Sequence, residues 1–449
     1  MAVVVTIKGC HMVKPAEATW RGCLSLSELD QSGAIIHLPT IHFYRQPPLS
    51  WLTPSDLITT TLKESLSRAL VPFYPLAGRL RRIDGGRFEL DCNALGVQFI
   101  EAESDSKLDK CLGTDLSPSP SADQYRHLRP TIDYNVPIEV RPVTIVQLTR
   151  FACGGIALSL SISHAVIDAQ SMANFLSEWA GLARGEACVR TRVPCHDRSV
   201  LGAGQPPAGL AASNYDHTAE FNQLLVLAES TKKNAKKAST LSLSKEQMEI
   251  LKATANEYRD STTRAYTRYE ALTGHIWRCA CLARKHETEQ PTGLAIYVDV
   301  RNRLQPPLPS GYFGNTAIGV TATSTAGALM SKPLGFAASR VRGAIDKVTN
   351  EYIWSYIDHL KNQSDLTKLQ DLFIYGNPNM GVASWTRLPI YGIDFGWGKE
   401  VYTGPGSQRI DGDVVILSSS TGDGSLLVAV CLEAIYMDSF EKHFYDMIS

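Results

Sequence analysis

Hydrophobic and polar residues alternate along Ile156–Ser163, with isoleucine or leucine at the even positions and alanine or serine at the odd ones. A period of two is typical of a β-strand with one apolar face. Beyond this segment, apolar residues recur at helical spacing over Met172–Leu182, and the run closes at Gly185. The pattern therefore predicts a strand, a short turn over His164–Asp168 and a helix.

The second half of the chain shows both periods again. Ser244 precedes an acidic first turn and an apolar helical run that begins at Met248, which is the pattern of a helix N-cap. Two apolar runs, Val414–Leu417 and Leu426–Val430, flank a glycine-containing turn and predict a β-hairpin. Each half mixes strands and helices, so we expect a mixed α/β fold.

Two stretches interrupt these patterns. Ser117–Ser121 alternates serine with proline and is predicted to be a surface loop. The stretch from Arg184 to about Pro207 is rich in glycine, proline and arginine, which is typical of a crossover between domains. We therefore predict an N-terminal domain over residues 1–190, a linker over 191–225 and a C-terminal domain over 226–449.

Composition narrows the classes of partner. The net charge of −1 gives no reason to expect binding to nucleic acid or to an acidic membrane surface. The ten cysteines form no CxxC pair, so we expect reduced thiols and no metal site. The longest apolar run, Leu426–Leu432, is far shorter than the roughly 20 residues of a membrane span, and the N-terminus lacks a signal-peptide pattern. We expect a cytoplasmic protein that acts as a monomer.

The predicted turn carries two ionisable residues, His164 and Asp168. Histidine is the usual general base near neutral pH, because its ordinary pKa is ~6.5. The spacing alone is weak evidence, since a His-x-x-x-Asp match arises by chance in roughly half of chains with this many histidines. On this motif alone, His164 could equally be a core histidine that bonds to its own loop.

A second motif changes that balance. Asp394–Gly398 has the sequence Asp-Phe-Gly-Trp-Gly, about 230 residues downstream. With the His164–Asp168 motif it makes the chain resemble the plant BAHD acyl-CoA-dependent transferases, whose two signatures are HxxxD and DFGWG. Further blocks that fit the family are Phe73–Leu80, Tyr297–Arg303 and Gly311–Asn315. One departure is Ala169, where the family usually carries glycine.

The resemblance implies two chloramphenicol-acetyltransferase-like domains, with a channel along their interface and His164 midway. It also implies an acyl-CoA co-substrate and no permanently bound cofactor. No Gly-x-Ser-x-Gly elbow is present, which favours direct attack by the acceptor, with His164 as base, over a covalent acyl-enzyme. A non-enzymatic alternative is a binding module in which His164 is idle.

Further residues match the family's site. Trp385 matches a tryptophan that donates to the oxyanion in hydroxycinnamoyl transferases, although a buried indole can equally fill a core. Tyr266 and Thr267 match a stretch that contacts the pantetheine arm of coenzyme A. Asp168 could be the third member of a triad, but the family implies a structural ion pair with a basic side chain.

The Asp-Phe-Gly-Trp-Gly segment is expected to be structural. Its glycines on both sides of an indole, Gly396 and Gly398 around Trp397, favour a tight loop over an acid/base site. In resembling proteins its aspartate pairs with an arginine, which predicts an ion pair between Asp394 and Arg301.

The acceptor prediction is a polyamine, with spermidine first. The terminal blocks of the chain look most like spermidine hydroxycinnamoyl transferases, and the position of a carboxylate-binding arginine in shikimate-using relatives is Gln370 here. Asp371, Thr40 and His42 are further candidates for the acceptor pocket. The alternatives are O-acylation of shikimate or quinate, and N-acylation of agmatine, putrescine or an aryl amine.

Overall fold

The computed structural model describes residues 3–32, 36–112, 126–187, 193–204, 215, 217, 234–367, 376–408 and 410–448. Its strands are β1 (Thr6–Val13), β2 (Cys23–Ser25), β3 (His37–Tyr44), β4 (Arg79–Ile83), β5 (Arg87–Asp91), β6 (Val97–Ser104), β7 (Thr144–Phe151), β8 (Ile156–Ser163), β9 (Lys236–Leu243), β10 (Pro291–Asp299), β11 (Ala317–Thr325), β12 (Met380–Ser384), β13 (Tyr402–Pro405), β14 (Asp413–Ser418) and β15 (Leu426–Glu433). Its α-helices are α1 (Glu28–Gln31), α2 (Leu57–Ala69), α3 (Asp109–Leu112), α4 (Ala169–Ala183), α5 (Lys245–Asn256), α6 (Arg268–Ala283), α7 (Ala326–Ser331), α8 (Leu334–Asp346), α9 (Asn350–Lys361) and α10 (Ala434–Asp446).

The first large sheet has the strand order β1-β6-β7-β8-β3-β13. Strand β8, which coincides with the predicted strand, pairs antiparallel with β7 on one side and β3 on the other. Its leucines and isoleucines share a core cluster with residues of α2 and α4, including Phe175 and Trp179. The period of two in the sequence thus reflects one strand face covered by helices.

The second large sheet has the order β11-β10-β12-β14-β15-β9. The predicted hairpin is confirmed, because β14 and β15 pair antiparallel with Val414 opposite Val430. Residues of α5, α6, α8, α9 and α10 share one core cluster with Val414 and Ile416 of β14. A small third sheet, β2-β5-β4, completes the architecture.

The first sheet also contains a strand from the second half of the chain. Strand β13 lies in the predicted C-terminal domain, yet it pairs antiparallel with β3 of the first sheet, with Tyr402 opposite Phe43. A return crossover of this kind leaves no mark in local periodicity, because backbone pairing between distant segments depends on tertiary structure. The three predicted ranges, two domains and a linker, stay a prediction, and Ser117–Ser121 lies outside the described residues.

Apolar residues join the two sheets. Val415 and Leu417 of β14 belong to a cluster that also contains Ile41 and Phe43 of β3. The face of the second sheet opposite its helices therefore packs toward the first sheet. No helix in the described part of the chain is both long and apolar enough to cross a membrane.

Candidate active site

His164 lies directly after β8, and its backbone N–H donates to the carbonyl oxygen of Ile36 at 2.9 Å. The side chain is partly exposed. Loss of solvation lowers the pKa of the imidazole, and hydrogen bonds to the backbone carbonyls of His164 itself and Ile167 oppose that shift. A neutral imidazole carries one ring proton, which leaves a lone pair on the other ring nitrogen. A neutral imidazole of this kind can accept a proton.

Asn315 holds the backbone of this histidine. Its side-chain amide donates to the carbonyl oxygen of His164, and the amide nitrogen lies 3.1 Å from Nδ1 of the ring. Asn315 is buried, and its own backbone N–H donates to Asp30 at 2.7 Å. The amide is therefore fixed at both its main chain and its side chain.

Asp30 anchors this arrangement from the core. It is completely buried, and it accepts hydrogen bonds from the hydroxyl and backbone N–H of Ser27. Nε of the buried Arg198 lies 3.4 Å from its carboxylate, and the same guanidinium donates to the carbonyl of Val166 at 3.1 Å. The network thus links α1 and the 3₁₀ turn Arg198–Leu201 to the turn that carries His164.

The carboxylate of Asp168 forms an ion pair and caps a helix. It accepts two parallel hydrogen bonds from Arg301, at 2.7 and 2.9 Å, and caps α4 by accepting from Ser171 N–H at 2.9 Å. Thr316 donates to the same carboxylate from its backbone and its hydroxyl. Burial by itself would raise the pKa of Asp168, but Arg301 and these hydrogen bonds hold it below its ordinary value. Both carboxylate oxygens are engaged away from His164, which matches the predicted structural ion pair.

The predicted partner of Arg301 was wrong. Arg301 pairs with Asp168 and, at 3.3 Å, with Asp299, and it forms no ion pair with Asp394. Oδ1 of Asp394 instead accepts from the backbone N–H groups of Gly396 and Gly398, at 2.7 and 2.9 Å. A short carboxylate beside a tight loop satisfies the nearby amides of that loop, as aspartate commonly does in turns.

The Asp394–Gly398 loop packs as an architectural element. Gly396 has a φ of +111°, and a Cβ there would lie 2.6 Å from the ring of Trp51. Phe395 is completely buried and meets Trp179 of α4 edge to face at 5.0 Å. The loop therefore seals the helical core beside β8, and none of its groups is an evident acid or base.

Two acceptor candidates on β3 have unpartnered polar atoms. Thr40 and His42 are buried, and neither Oγ1 of Thr40 nor Nε2 of His42 has a hydrogen-bond partner among the described residues. Nδ1 of His42 lies 2.8 Å from the hydroxyl of Thr403 on β13. Burial lowers the pKa of His42 to about 4, so this ring is neutral. Gln370 and Asp371, the other two candidates, lie outside the described residues.

Trp385 directly follows β12, and its backbone N–H donates to Ile416 of β14 at 2.8 Å. The side chain is partly buried against the cluster that joins the two sheets, and its indole N–H forms no hydrogen bond with a described residue. Tyr266 and Thr267 have internal roles. Tyr266 is buried under the guanidinium of Arg342, 4.3 Å from its ring centre, and Thr267 is the N-cap of α6.

Comparison with known proteins gives matches over nearly the whole chain. A family model described as "Transferase family" matches residues 3–447. The chain is 42% identical to hydroxycinnamoyl-CoA:piscidic acid hydroxycinnamoyltransferase of Actaea racemosa, over 99% of this chain and 100% of that protein. It is 39% identical to shikimate O-hydroxycinnamoyltransferase of Nicotiana tabacum, over 98% of this chain and 99% of that protein.

The chain belongs to the BAHD acyltransferase family.

Solved structures show the same fold. Vinorine synthase superposes with a TM-score of 0.76 at 23% identity and covers 99% of this chain and 98% of its own. TRI101 of F. sporotrichioides, complexed with coenzyme A and T-2, gives a TM-score of 0.70 at 19% identity, over 94% of this chain and 97% of its own. The mixed α/β, chloramphenicol-acetyltransferase-like fold predicted from the motifs is therefore confirmed. A closer relationship to spermidine hydroxycinnamoyl transferases is not shown by these BAHD relatives.

The sequence did not indicate several residues of this site. Asn315 was known only as part of a family block, and the contact between Asp30 and Arg198 joins segments 168 residues apart. The available signal was Ser27 with Asp30 three residues later, which is a capping-box pattern and forms that box at α1. No group of three or more metal-binding side chains is assembled within the described ranges.

Proposed function

We propose that this protein transfers a hydroxycinnamoyl group from its coenzyme A thioester to a small acceptor by direct attack. The observation that carries the proposal is His164, an imidazole whose pKa is lowered, held at a partly exposed strand end in a BAHD chain matched over residues 3–447. The two relatives at 42% and 39% identity are both hydroxycinnamoyltransferases by name. The donor is a co-substrate, for which Tyr266 and Thr267 remain the proposed contacts.

The proposed chemistry needs one base and one oxyanion donor. The unprotonated ring nitrogen of His164 removes the proton of the acceptor hydroxyl or amine as that atom attacks the thioester carbonyl. The indole N–H of Trp385 donates to the oxyanion of the tetrahedral intermediate. When the carbonyl re-forms, the C–S bond breaks and the departing thiolate takes the proton from the imidazolium. Asp168 takes no part in these steps, since Arg301 and Thr316 occupy its oxygens.

Two acceptor classes fit this chemistry. The names of the relatives at 42% and 39% identity support O-acylation of a hydroxy acid, such as piscidic acid or shikimate, over the polyamine predicted from sequence. An amine acceptor is the second candidate. Relatives from Avena sativa, at 34% identity, are named as N-hydroxycinnamoyltransferases of 5-hydroxyanthranilate. A carboxylate on β14 also favours an acceptor with a positive charge, as the next subsection argues.

The test is a coupled assay of thiol release. The purified protein is incubated with caffeoyl-, coumaroyl- or feruloyl-CoA and, separately, with shikimate, quinate, piscidic acid, spermidine, putrescine, agmatine and tyramine. We expect acceptor-dependent release of coenzyme A and an ester or amide product by mass spectrometry. Thiol release no faster than the buffer blank with every acceptor would contradict the proposal and support a binding module.

A further inference from the structure

The first residue of β14, Asp413, lies on the face of the second sheet that packs toward the first sheet. Val414 and Ile416 belong to the core under the helices, whereas Val415 and Leu417 belong to the cluster that joins the sheets. Successive side chains in a strand point to opposite faces, so Asp413 shares the face of Val415. In the parallel register with β12, Asp413 is the partner of Gly381, which contributes no side chain.

The carboxylate of Asp413 is partly buried, and no described residue compensates its charge. Loss of solvation raises its pKa to about 7. It forms no ion pair and accepts no side-chain or backbone hydrogen bond within the described part of the chain. Asp411, two residues earlier, is the opposite case, because it binds Arg284 at 2.8 Å and accepts from the backbone of Asn377 and Glu433.

The residues next to Asp413 on this face are small residues of β12 and one aromatic residue of β10. Gly381 and Ala383 are the small residues of β12 on this face. Tyr297 of β10 is 41% exposed, and the charge of Asp413 contributes to raising the pKa of its phenol. A partly buried carboxylate together with an aromatic surface is a combination that binds organic ammonium and guanidinium groups.

Strand β12 leads from the level of Asp413 toward the proposed oxyanion donor. Trp385 follows the last residue of β12 and is four residues beyond Gly381, so its main chain lies roughly 13 Å along the strand from the level of Asp413. A cation at Asp413 would therefore be remote from the reacting carbonyl. The acceptor must then carry its positive charge several bonds from its nucleophile.

We propose that Asp413 is a specificity-determining residue that pairs with a positively charged group of the acyl acceptor, an ammonium or guanidinium remote from the attacking atom. This assignment rests on the proposed hydroxycinnamoyl transfer and selects between its two acceptor classes. The carboxylate of a hydroxy acid would be repelled by Asp413, whereas a linear polyamine or agmatine would neutralise it.

The experiment compares Asp413→Asn with the wild type on acceptors that differ in charge. Spermidine and agmatine keep a cation after one nitrogen has attacked, tyramine does not, and shikimate is an anion. We expect Asp413→Asn to lower kcat/KM for spermidine and agmatine at least ~30-fold, chiefly through KM, because it removes one partner of a partly buried charge pair. Activity on tyramine or shikimate should stay within about threefold or rise.

Two control variants accompany this comparison. Asp56→Asn makes the same chemical change at an exposed residue without a side-chain cap bond, and should leave every acceptor unaffected. Asp413→Glu keeps the charge and should retain the preference for cationic acceptors. Thermal melting of each variant checks that the fold is intact.

The results separate this inference from the proposed function. If the wild type acylates acceptors but Asp413→Asn keeps its kcat/KM for spermidine within threefold, the assignment of Asp413 is wrong and hydroxycinnamoyl transfer stands. If no acceptor releases coenzyme A, the transfer proposal is wrong. The assignment of Asp413 is then tested by the binding of spermidine alone. Spermidine should then still raise the melting temperature of the wild type at pH 8 and not that of Asp413→Asn, and equal shifts in both would overturn the assignment.

Discussion

Asp168 is a buried carboxylate and Asp413 is a partly buried one, and their hydrogen-bond partners differ completely. Asp168 receives two hydrogen bonds from Arg301 and others from Ser171 and Thr316, and its pKa is held below the ordinary value. Asp413 receives none from the described residues, and its pKa is raised to about 7. One carboxylate is compensated within the protein, whereas the other is left for something from outside it.

The difference separates two tasks within one site. The turn after β8 must hold His164 in one orientation, and a fully satisfied network does this because an unpaired buried group would be costly. A binding surface for a charged ligand must instead leave its charge unpaired until the ligand arrives. Hydrogen-bonded compensation is thus expected of the scaffold, and its absence is expected of the proposed ligand site at Asp413.

The largest effect is expected from removing the imidazole of His164, which lies in the turn that the compensated network holds. His164→Ala should lower turnover by ~10²–10⁴-fold or more, because a general base contributes about that much. The melting temperature should change little, since the side chain is partly exposed. Turnover within tenfold of the wild type at pH 7–8 would remove His164 from the proposed role.

The compensated carboxylate is tested by Asp168→Asn. Breaking one side of a buried ion pair costs about 3–5 kcal/mol, so the free energy of unfolding should fall by up to that amount and the soluble yield with it. The measurement is denaturant unfolding alongside turnover. Unchanged unfolding together with a ~10⁴-fold loss of turnover would instead show that Asp168 acts as the third member of a triad.

A smaller effect is expected from Asn315→Ala, which removes the amide that holds the carbonyl of His164. Leaving a buried acceptor unsatisfied costs about 1–3 kcal/mol, so kcat should fall by roughly 5–150-fold. As a positioning residue, Asn315 should also affect the pH profile, and the apparent pKa of the base in kcat/KM should change. A loss of stability with an unaltered pH profile would show that Asn315 only supports the fold.

The smallest effect concerns the stability of Asp413→Asn. Because the pKa of Asp413 is raised to about 7 by folding, the protonated carboxyl contributes fully below pH ~4, and this contribution is lost as the pH rises through 7. The variant should therefore melt a few degrees higher than the wild type at pH 8 and at the same temperature at pH 4. Parallel melting curves at both pH values would indicate that the carboxylate is compensated after all.

Sequence reasoning reached the local parts of this site. The strand before His164 and the helix after Asp168 follow from hydrophobic periodicity, because both are covered on one face by the same core. The structural use of Asp168 was favoured by the resemblance to BAHD enzymes. Its partner was not, since Arg301 is 133 residues away and several acidic residues were available to it.

The proposed acceptor-binding residue, Asp413, could not be predicted from the sequence in this way. Asp413 directly precedes the predicted apolar run Val414–Leu417 and is the first residue of β14. Which face of β14 meets the first sheet depends on tertiary packing, and local periodicity does not contain that information. The pairing of β13 with β3 was missed for the same reason.

The central claim, that Asp413 is a partly buried and uncompensated carboxylate kept for a cation, is tested most directly by titrating its carboxyl carbon. NMR of protein with ¹³C-labelled aspartate, with Asp413→Asn used for assignment, reports the pKa of this one group. We predict a pKa of about 7 in the free protein and a fall toward or below the ordinary ~3.9 when spermidine is added. A free-protein pKa already near the ordinary value, with no response to spermidine, would contradict the account.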